Sequence, residues 1–429
     1  MLKRFSLYGF LKNQQYYDYF LLLAFRQMGL TYFIIGLLIA FREIMVNVME
    51  IPSGAVADLL GKRDSMIFSF ISYIVSFAIF GLSGIGAKDY GLAQQILIPL
   101  LCLAMFFFAM GEAFRTGTHK ALIFAWLRLQ GRIGERTRVY GFTRSWSKIG
   151  SALSVIVACV LVFMTSNFIY VFFFSIIPYI LNIINFLGYP EEIDFKGGKD
   201  TSFKDIIKHL RETIVISVRQ KSLRRLILES MGFEGFFKAS KDYLQPILMA
   251  AALPLTASLF KSVQLSDEQS SVILIGPVFF VLFILSAVAS RNAYRLVSRS
   301  GHEDNTARSL WGLSVFLFLF LLPSMYYGIN WIMITGFIML YIIQNLWRPV
   351  LISRFDSHSD EARGATILSI ESQAKSLSTM VIAPPLGFAI DLARNQGIGI
   401  SQFWPIGFMG LIIALIFFLT SFKGFDDDV

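Results

Sequence analysis

Apolar runs long enough to cross a lipid bilayer recur along the whole chain of 429 residues. A spanning helix needs about 20 such residues, and twelve runs meet this length. They cover residues 7–28, 31–53, 65–86, 94–118, 140–164, 168–188, 225–250, 270–290, 308–328, 330–352, 365–388 and 402–422. With 55% hydrophobic residues and 43 Phe, the chain has too much apolar surface for a soluble domain. The sequence therefore predicts an all-α membrane protein with twelve transmembrane helices.

The first run is the most polar, and it decides how the chain enters the membrane. Its first half contains Lys12, Asn13, Gln14 and Asp18, so we expect one face of this helix to border a protein or water-filled cavity. The segment has neither an uninterrupted apolar core nor a small-residue cleavage site. A cleavable signal peptide is therefore not predicted, and the first span is expected to remain as the insertion signal.

The distribution of basic residues predicts the orientation of the chain. Most of the 38 Lys and Arg lie at the termini and in loops on one side, whereas only Lys88, Lys261 and Arg394 fall in loops on the other side. Cytoplasmic loops carry such an excess. We expect a multi-pass protein of the cytoplasmic (inner) membrane with both termini in the cytoplasm. The net charge of +9 then reflects topology and contact with membrane lipids, and no nucleic-acid partner is expected.

The cysteines and histidines argue against an enzyme or a metal protein. Cys102 and Cys159 both lie in apolar runs, which fits neither a disulfide framework nor a thiolate metal site. The four histidines are scattered, at His119, His209, His302 and His358. The chain also lacks the H-E-x-x-H, G-x-S-x-G and P-loop motifs. We therefore expect no catalytic residues, no metal and no cofactor.

The stretch from Glu50 to Phe68, EIPSGAVADLLGKRDSMIF, joins the second and third runs through a very short polar segment. Its distinctive residues are Gly54, Asp58, Gly61, Lys62 and Arg63. Glycine permits the close backbone approach of a tight turn, and adjacent cations are typical of the cytoplasmic membrane surface. The stretch predicts a tight cytoplasmic hairpin. An ordinary positive-inside hairpin without a further role is the alternative.

The pattern G-x-x-x-D-x-x-G-[RK]-[RK] in this hairpin resembles the signature loop between the second and third helices of the major facilitator superfamily. Four other segments resemble recurring phrases of prokaryotic permeases in that superfamily: GEAFRTGTHKALIF at 111–124, YLQP at 243–246, LWRP at 346–349 and RGATILSIESQ at 363–373. The resemblance implies two pseudo-symmetric six-helix bundles that face each other across a central cavity. In such a transporter Asp58, paired with Arg63, is expected to bond free backbone donors of a neighbouring helix and form a cytoplasmic latch.

The one long polar segment in the interior divides the chain into two halves. We expect an N-terminal bundle at 1–189, a cytoplasmic linker at 190–224 and a C-terminal bundle at 225–429. Within the linker, apolar residues at helical spacing from residue 202 to 223 predict an amphipathic helix on the membrane surface. The chain departs from the family in three places. The second-half loop at 289–301 lacks the Asp and first Gly, the fifth span lacks the Gly-Pro motif of drug/proton antiporters, and Arg115 does not have the usual spacing of their fourth-helix motif.

Polar and charged residues inside the first six spans are candidates for function, because a charge at the bilayer centre costs about 2.5 to 3.5 kcal/mol. Those we single out are Glu43, Asn47 and Glu50 in the second span, Glu112, Arg115 and His119 in the fourth, and Arg144 and Lys148 in the fifth. In each span their spacing places them on one helical face. Some of these have a structural alternative. Glu43 is then paired with Arg42 or Arg26, Glu50 supports the hairpin, and His119 is a packing residue.

The second half contains fewer such residues. We single out Glu234 and Lys238 in the seventh span and Glu371 and Lys375 in the eleventh. Glu371 and Lys375 lie four residues apart, so they are expected to line the cavity or else to neutralise each other as an i, i+4 pair.

This density of charge favours a polar solute. We expect a secondary active transporter that moves a small polar, zwitterionic or anionic solute by alternating access, coupled to protons, and that functions as a monomer. Glu112 is the first choice for the proton-carrying group because Arg115 lies one helical turn away. The alternatives are an uncoupled facilitator, a multidrug or metabolite efflux permease, and a non-transporting membrane scaffold or sensor. Thermal stabilisation of the purified protein by a solute would argue against the scaffold.

Overall fold

The computed structural model describes residues 1–116, 118–132, 135–193, 220–357, 364–395 and 401–421. Throughout these ranges the regular structure is helical, with no β-strand. The expectation of an all-α membrane protein is confirmed. The predicted amphipathic helix of the linker falls almost wholly outside the described residues and stays a prediction.

Among the described residues, eight α-helices precede the linker. They are α1 (Leu2–Lys12), α2 (Leu21–Gln27), α3 (Tyr32–Leu60), α4 (Lys62–Asp89), α5 (Gln94–Arg115), α6 (Thr118–Leu129), α7 (Arg136–Thr165) and α8 (Tyr170–Leu187). A 3₁₀ turn at Glu191–Ile193 follows. The first predicted span is thus two short helices, because the polar residues after Lys12 form turns between α1 and α2.

In the described part of the chain after the linker, eight further α-helices follow. They are α9 (Lys221–Ser230), α10 (Phe236–Ser240), α11 (Leu244–Leu259), α12 (Asp267–Ser300), α13 (Glu303–Tyr327), α14 (Asn330–Ser357), α15 (Gly364–Asn395) and α16 (Trp404–Thr420). The predicted seventh span at 225–250 is interrupted by a π-helical turn at Met231–Gly235 and a 3₁₀ turn at Lys241–Tyr243. π-turns of this kind are frequent at functional sites.

Nine of the described helices are long and apolar enough to cross a membrane. They are α3, α4, α5, α7, α8, α12, α13, α14 and α15. The remaining three predicted spans are the interrupted segments at 7–28 and 225–250 and the shorter apolar helix α16. The chain therefore has the helices of a multi-pass membrane protein.

The chain divides into two compact units. Unit 1 contains Met1–Leu30, Phe41–Asp200 and Ala252–Phe280, and unit 2 contains Thr31–Ala40, Thr201–Ala251 and Val281–Val429. The domain boundaries expected from the sequence, at residues 190 and 224, stay a prediction.

The hairpin between α3 and α4 contains a single non-helical residue, Gly61. Its φ of 104° and ψ of 150° belong to a region that only glycine adopts without strain. Gly61 is also buried, and Lys62 begins α4 directly after it. The short hairpin predicted from the sequence is therefore present, with glycine at the one position where the chain reverses.

In unit 1, small residues bring α4 and α5 close together. The hydroxyl of Ser69 donates to the carbonyl of Gly111 over 2.6 Å, and that of Ser76 donates to the carbonyl of Ala104 over 2.8 Å. A Cβ atom added to Gly111 would lie 2.7 Å from the ring of Tyr73. Tyr73 is therefore pressed against the last turns of α5, where charged residues begin.

In unit 2, α15 packs against the interrupted segment around Met231–Gly235. Ser378 donates to the carbonyl of Met231 over 2.7 Å, and Thr379 donates to the carbonyl of Gly235 over 3.3 Å. These side chains satisfy carbonyls at a place where the π-turn changes the α-helical hydrogen-bond pattern. The contact holds Glu234 beside α15.

Candidate functional site

The charged pair at the end of α5 is the centre of the candidate site in unit 1. Arg115 donates from Nη2 to Oε1 of Glu112 over 2.9 Å. Tyr73 of α4 donates its hydroxyl to Oε2 of Glu112 over 3.1 Å, and Arg115 Nε donates to the same hydroxyl over 3.4 Å. Carboxylate, guanidinium and phenol thus form a closed three-membered network.

Aromatic rings fix this network in place. The ring of Tyr73 stacks on that of Tyr179 with centroids 4.6 Å apart and meets Phe108 edge-on at 5.2 Å. Tyr73 is 2% exposed. Since a buried aromatic ring has few alternative positions, its hydroxyl is held ready for both Glu112 and Arg115.

The exposed fractions of the two charged side chains differ. Arg115 is 10% exposed, whereas Glu112 is 38% exposed. The carboxylate is therefore reachable from outside the protein while it is still bonded to a buried cation. A carboxyl group in this position can exchange protons while the aromatic packing around Tyr73 and Arg115 stays intact.

His119 does not share a helix with Glu112 and Arg115. The expectation of one stripe along the fourth span was wrong, because α5 ends at Arg115, Thr116 is extended with φ −65° and ψ 126°, and a new helix begins at Thr118. The ring of His119 lies 3.9 Å from that of Tyr8 and 5.6 Å from that of Phe5. Its buried Nε2 has no hydrogen-bond partner among the described residues.

The candidates of α3 lie at different depths. Glu43 is 1% exposed and pairs with the adjacent Arg42 over 2.8 Å, which is one of the structural alternatives expected from the sequence. Asn47 and Glu50 are half-buried. Gly54 and Asp58 lie on the same helix, but their surroundings fall outside the described part of the structure.

The basic pair of the hairpin follows Gly61 on α4. Lys62 and Arg63 are both half-buried. Arg63 donates to the carbonyl of Leu187 at the end of α8 over 3.3 Å. The hairpin is thus connected to α8 by a side chain as well as by packing. The latch role of these residues stays a prediction.

The two basic candidates of α7, Arg144 and Lys148, are exposed. Together with Lys12 of α1 they line a cavity of about 340 Å³ that also includes His119. Lys12 is half-buried and lies within electrostatic range of Arg115 and Glu112. The structure therefore brings the fourth-span and fifth-span candidates near one another through α1.

In unit 2, Glu371 is enclosed by donors. The guanidinium of Arg348 binds it in a fork, with Nη1 to Oε1 at 2.6 Å and Nη2 to Oε2 at 3.1 Å. Ser230 of α9 also donates to Oε1. Glu371 is 0% exposed. Its direct partner is Arg348 rather than Lys375, because the fork crosses between helices α14 and α15, whereas Lys375 supplies only a nearby charge.

Glu234 is buried with weaker support. Its two oxygens accept from the amide of Gln344 at 3.4 Å each, and it lies within electrostatic range of Arg348 and Lys375. Glu234 is 6% exposed. Lys238, one turn further along on α10, is half-buried. The structure thus gathers Glu234, Glu371 and Lys375 into one cluster.

A third ionic network lies in unit 2, further along α9 and α14. Arg354 of α14 is 2% exposed and binds Glu229 over 2.6 Å and Asp304 over 2.7 Å. Arg225 adds a second cation to Glu229 over 3.0 Å. Here two cations meet two carboxylates, so the charges balance. This network fastens α9, α13 and α14 together.

Sequence reasoning missed several partners in these sites. They are Lys12, Tyr73, Ser230 and Gln344. Each lies far along the chain from the charge that it contacts, and hydropathy treats serine, tyrosine and glutamine as ordinary residues of a span. Only the odd position of Lys12 in an apolar run signalled a role in advance.

The chain resembles known transporters both in sequence and in fold. The Major Facilitator Superfamily model matches residues 14–384. The fold resembles a crystal structure of a single-residue mutant of the nucleoside transporter NupG, with a TM-score of 0.76, 12% sequence identity and 99% of each chain covered. No curated protein sequence matches the chain.

Two other solved structures show the same fold. One is a POT family transporter in complex with 5-aminolevulinic acid, with a TM-score of 0.67, 14% identity, and 98% of this chain and 96% of that chain covered. The other is the inward-open xylose transporter XylE from E. coli, with a TM-score of 0.62, 13% identity, and coverage of 97% and 94%. At such identities the likeness concerns the fold alone.

Proposed function

Since the chain belongs to the major facilitator superfamily, we propose that it moves a small polar, zwitterionic or anionic solute by alternating access, coupled to protons. The observation that supports this proposal is the network of Glu112, Arg115 and Tyr73. Glu112 carries the proton in this scheme.

The network can accept a proton while the buried Arg115 keeps a hydrogen-bond acceptor. When Glu112 is ionised, it neutralises Arg115 over 2.9 Å. When it is protonated, Arg115 keeps the hydroxyl of Tyr73 as an acceptor, at 3.4 Å. The cation then has one fewer anion beside it, and a solute carboxylate or phosphate is able to take that place. Proton uptake and solute binding thereby favour each other.

Glu371 is a poorer candidate for this role. It has three donors and is 0% exposed. Protonation would break the fork to Arg348 at a carboxylate that is itself fully buried, although Arg348 is 30% exposed, and breaking such a pair is disfavoured. Glu234 lies between these extremes, since it is buried and, among the described residues, accepts hydrogen bonds only from the amide of Gln344, at 3.4 Å each. We assign Glu371 to helix fastening and keep Glu234 as the second coupling candidate.

The hairpin residues Gly54, Asp58, Gly61, Lys62 and Arg63 form the latch in this proposal. Gly61 supplies the turn and Arg63 reaches the end of α8. A one-residue turn moves as a unit with both of its helices, so a change at either helix is transmitted to the other. The protein would function as a monomer, with its substrate, protons and lipids as partners.

The test is proton flux in proteoliposomes that contain a trapped pH dye. Solutes are first selected by thermal stabilisation of the purified protein. In wild-type protein, addition of the selected solute should drive proton movement, and an imposed pH gradient should drive solute accumulation. Glu112→Gln mimics the protonated group, so it should abolish accumulation and spare solute-for-solute exchange.

Two further variants complete this test. Glu135→Gln is the control, because it removes a carboxylate from the exposed ion pair of Glu135 and Arg132. The side chain of Glu135 is 36% exposed and that of Arg132 is 46% exposed. This variant should transport normally. Glu234→Gln distinguishes the second coupling candidate. Accumulation by Glu112→Gln at the wild-type rate would refute the assignment. A wild-type transport rate that does not change with the pH gradient would instead favour an uncoupled facilitator.

A further inference from the structure

The cavity between α1 and α7 in unit 1 is lined by basic residues without matching acidic ones among its described lining residues. Its volume is about 340 Å³, at the low end of the range of about 300 to 1,000 Å³ for ligand pockets. Lys12, Arg144 and Lys148 face it together with Asn13, His119 and Ser147. Among the described lining residues there is no carboxylate. Three cations therefore surround a space that only a small solute can fill.

Glycines create this arrangement by letting α1 lie directly on α7. A Cβ atom added to Gly150 would lie 2.5 Å from the carbonyl oxygen of Phe10, and one added to Gly9 would lie 2.9 Å from that of Thr143. Gln14 then donates to the carbonyl of Gly150 over 3.0 Å. Because the two backbones touch, the side chain of Lys12 emerges beside those of α7.

The three cations lack the partners that other charges have. Four buried or half-buried arginines elsewhere in the described helices are paired with carboxylates: Arg42 with Glu43, Arg115 with Glu112, Arg348 with Glu371 and Arg354 with Glu229. Across the described residues, neither Lys12 nor Arg144 nor Lys148 has an ion pair. Arg144 and Lys148 also lie within a candidate membrane span, Phe142–Thr165.

This imbalance costs free energy unless something supplies negative charge. Lys148 lies within electrostatic range of Arg144, so the two cations repel each other. Lys12 lies in the field of both Arg115 and Glu112, and the repulsion from Arg115 is the larger of the two effects. Like charges gathered in a span are disfavoured, and intramembrane cations commonly mark the path of an anion.

We propose that this cavity binds the phosphate or carboxylate group of a small anionic solute. This inference rests on the proposed transport function and narrows its substrate class to anions. Arg144 offers a planar fork that suits a carboxylate or a phosphate, and the two lysines act as point charges. Ser147 adds a hydroxyl at the cavity wall. Neutral and cationic solutes lack the charge that this lining requires.

The direct test uses full-length protein in detergent and thermal stabilisation by four probes. The anions are glycerol 3-phosphate and succinate, and the controls are neutral glycerol and cationic choline. We expect at least one anion to stabilise the protein and both controls to leave it unchanged. Arg144→Gln and Lys148→Gln should each weaken anion binding about tenfold or more, whereas Lys88→Gln, in an exposed part of α4, should not.

A second measurement guards against misfolded variants. Raising the ionic strength should weaken anion binding to the wild-type protein, and Arg144→Lys, which keeps the charge, should retain part of it. No stabilisation by either anion, or stabilisation that survives in both Gln variants, would overturn the proposal. Solute-driven proton flux that persists alongside such a failure would leave the proposed function standing.

Anionic lipid is the other source of a phosphate group, and nanodiscs separate the two sources. Wild-type protein is compared in phosphatidylglycerol and in phosphatidylcholine, with and without glycerol 3-phosphate. We expect the soluble anion to stabilise the protein in both lipids. Stabilisation by phosphatidylglycerol alone, lost in Arg144→Gln and Lys148→Gln, would assign the cavity to a lipid headgroup and refute the solute proposal.

Discussion

The carboxylate of Asp391 in α15 accepts a hydrogen bond from the backbone N–H of Phe33, at 2.7 Å, in the first turn of α3. The N–H of Tyr32 donates to the other oxygen of the same carboxylate over 3.1 Å. These are two of the donors that the start of a helix leaves without intrahelical partners. Asp391 therefore acts as an N-cap from a distant helix, within unit 2.

Glycines on both helices make this contact possible. A Cβ atom added to Gly36 would lie 2.5 Å from the carbonyl oxygen of Ala383, and one added to Gly387 would overlap the carbonyl of Tyr32. The start of α3 and the end of α15 thus touch backbone to backbone. A negative charge in that position also interacts favourably with the positive end of the α3 dipole.

We predict that Asp391→Ala destabilises the protein by about 0.5 to 2 kcal/mol, the usual cost of losing a cap. Asp391→Asn should cost less, since it keeps one acceptor oxygen. Thermal unfolding in detergent measures the effect. Asp89→Ala is the matched control because Asp89 is an exposed residue at the end of α4. Equal melting temperatures for Asp391→Ala and the wild type would show that the cap contributes nothing.

A second prediction concerns Gly61. Its φ of 104° and ψ of 150° exclude every residue with a Cβ, including Asn, at a cost of about 1 to 3 kcal/mol. Gly328, by contrast, ends α13 with φ 70° and ψ 31°, a left-handed conformation that Asn tolerates. Gly61→Asn should therefore lower the melting temperature, and Gly328→Asn should leave it nearly unchanged. The reverse order would contradict the assigned hairpin geometry.

Much of the fold follows from the sequence because hydrophobic runs and helix geometry are local properties. The runs near Tyr73 and Val155 both lie in helices, and the hairpin at Gly61 turns where its glycine predicts. The places where the helices are interrupted do not follow from the sequence in this way. The end of α5 at Arg115 and the π-turn around Glu234 depend on neighbouring helices that receive their side chains, and a hydropathy profile does not contain those neighbours.

The charged residues of the site were predictable from the sequence, but of their pairs only those within one helix were. Glu112 and Arg115 are neighbours on one helix turn, so their ion pair follows from spacing alone. Glu371 has a suitable neighbour in Lys375, yet its partner is Arg348 of another helix. A fork of two hydrogen bonds from a guanidinium outweighs proximity along the chain. Long-range choices of this kind require the packed structure.

A third prediction addresses membrane topology. In a variant with Cys102 and Cys159 replaced by Ala, single cysteines are placed at Lys88, Lys261 and Lys204. If the termini are cytoplasmic, an impermeant maleimide should label positions 88 and 261 in intact cells and should leave position 204 unlabelled until the cells are opened. Labelling of position 204 in intact cells would reverse the orientation.

The last prediction separates the two carboxylates that bind arginine. Glu371 is 0% exposed and its partner Arg348 has no other ion pair in the described helices, so Glu371→Gln leaves a cation without its anion. Because Arg348 is 30% exposed, the cost lies below the value of about 3 to 5 kcal/mol for breaking a fully buried pair. Glu112 is 38% exposed, and pairs open to water contribute about 1 kcal/mol or less. Glu371→Gln should therefore lower the melting temperature and the yield of folded protein much more than Glu112→Gln. If Glu112→Gln proved the more damaging of the two to stability, its carboxylate would be a structural fastener, and the coupling role would pass to Glu234.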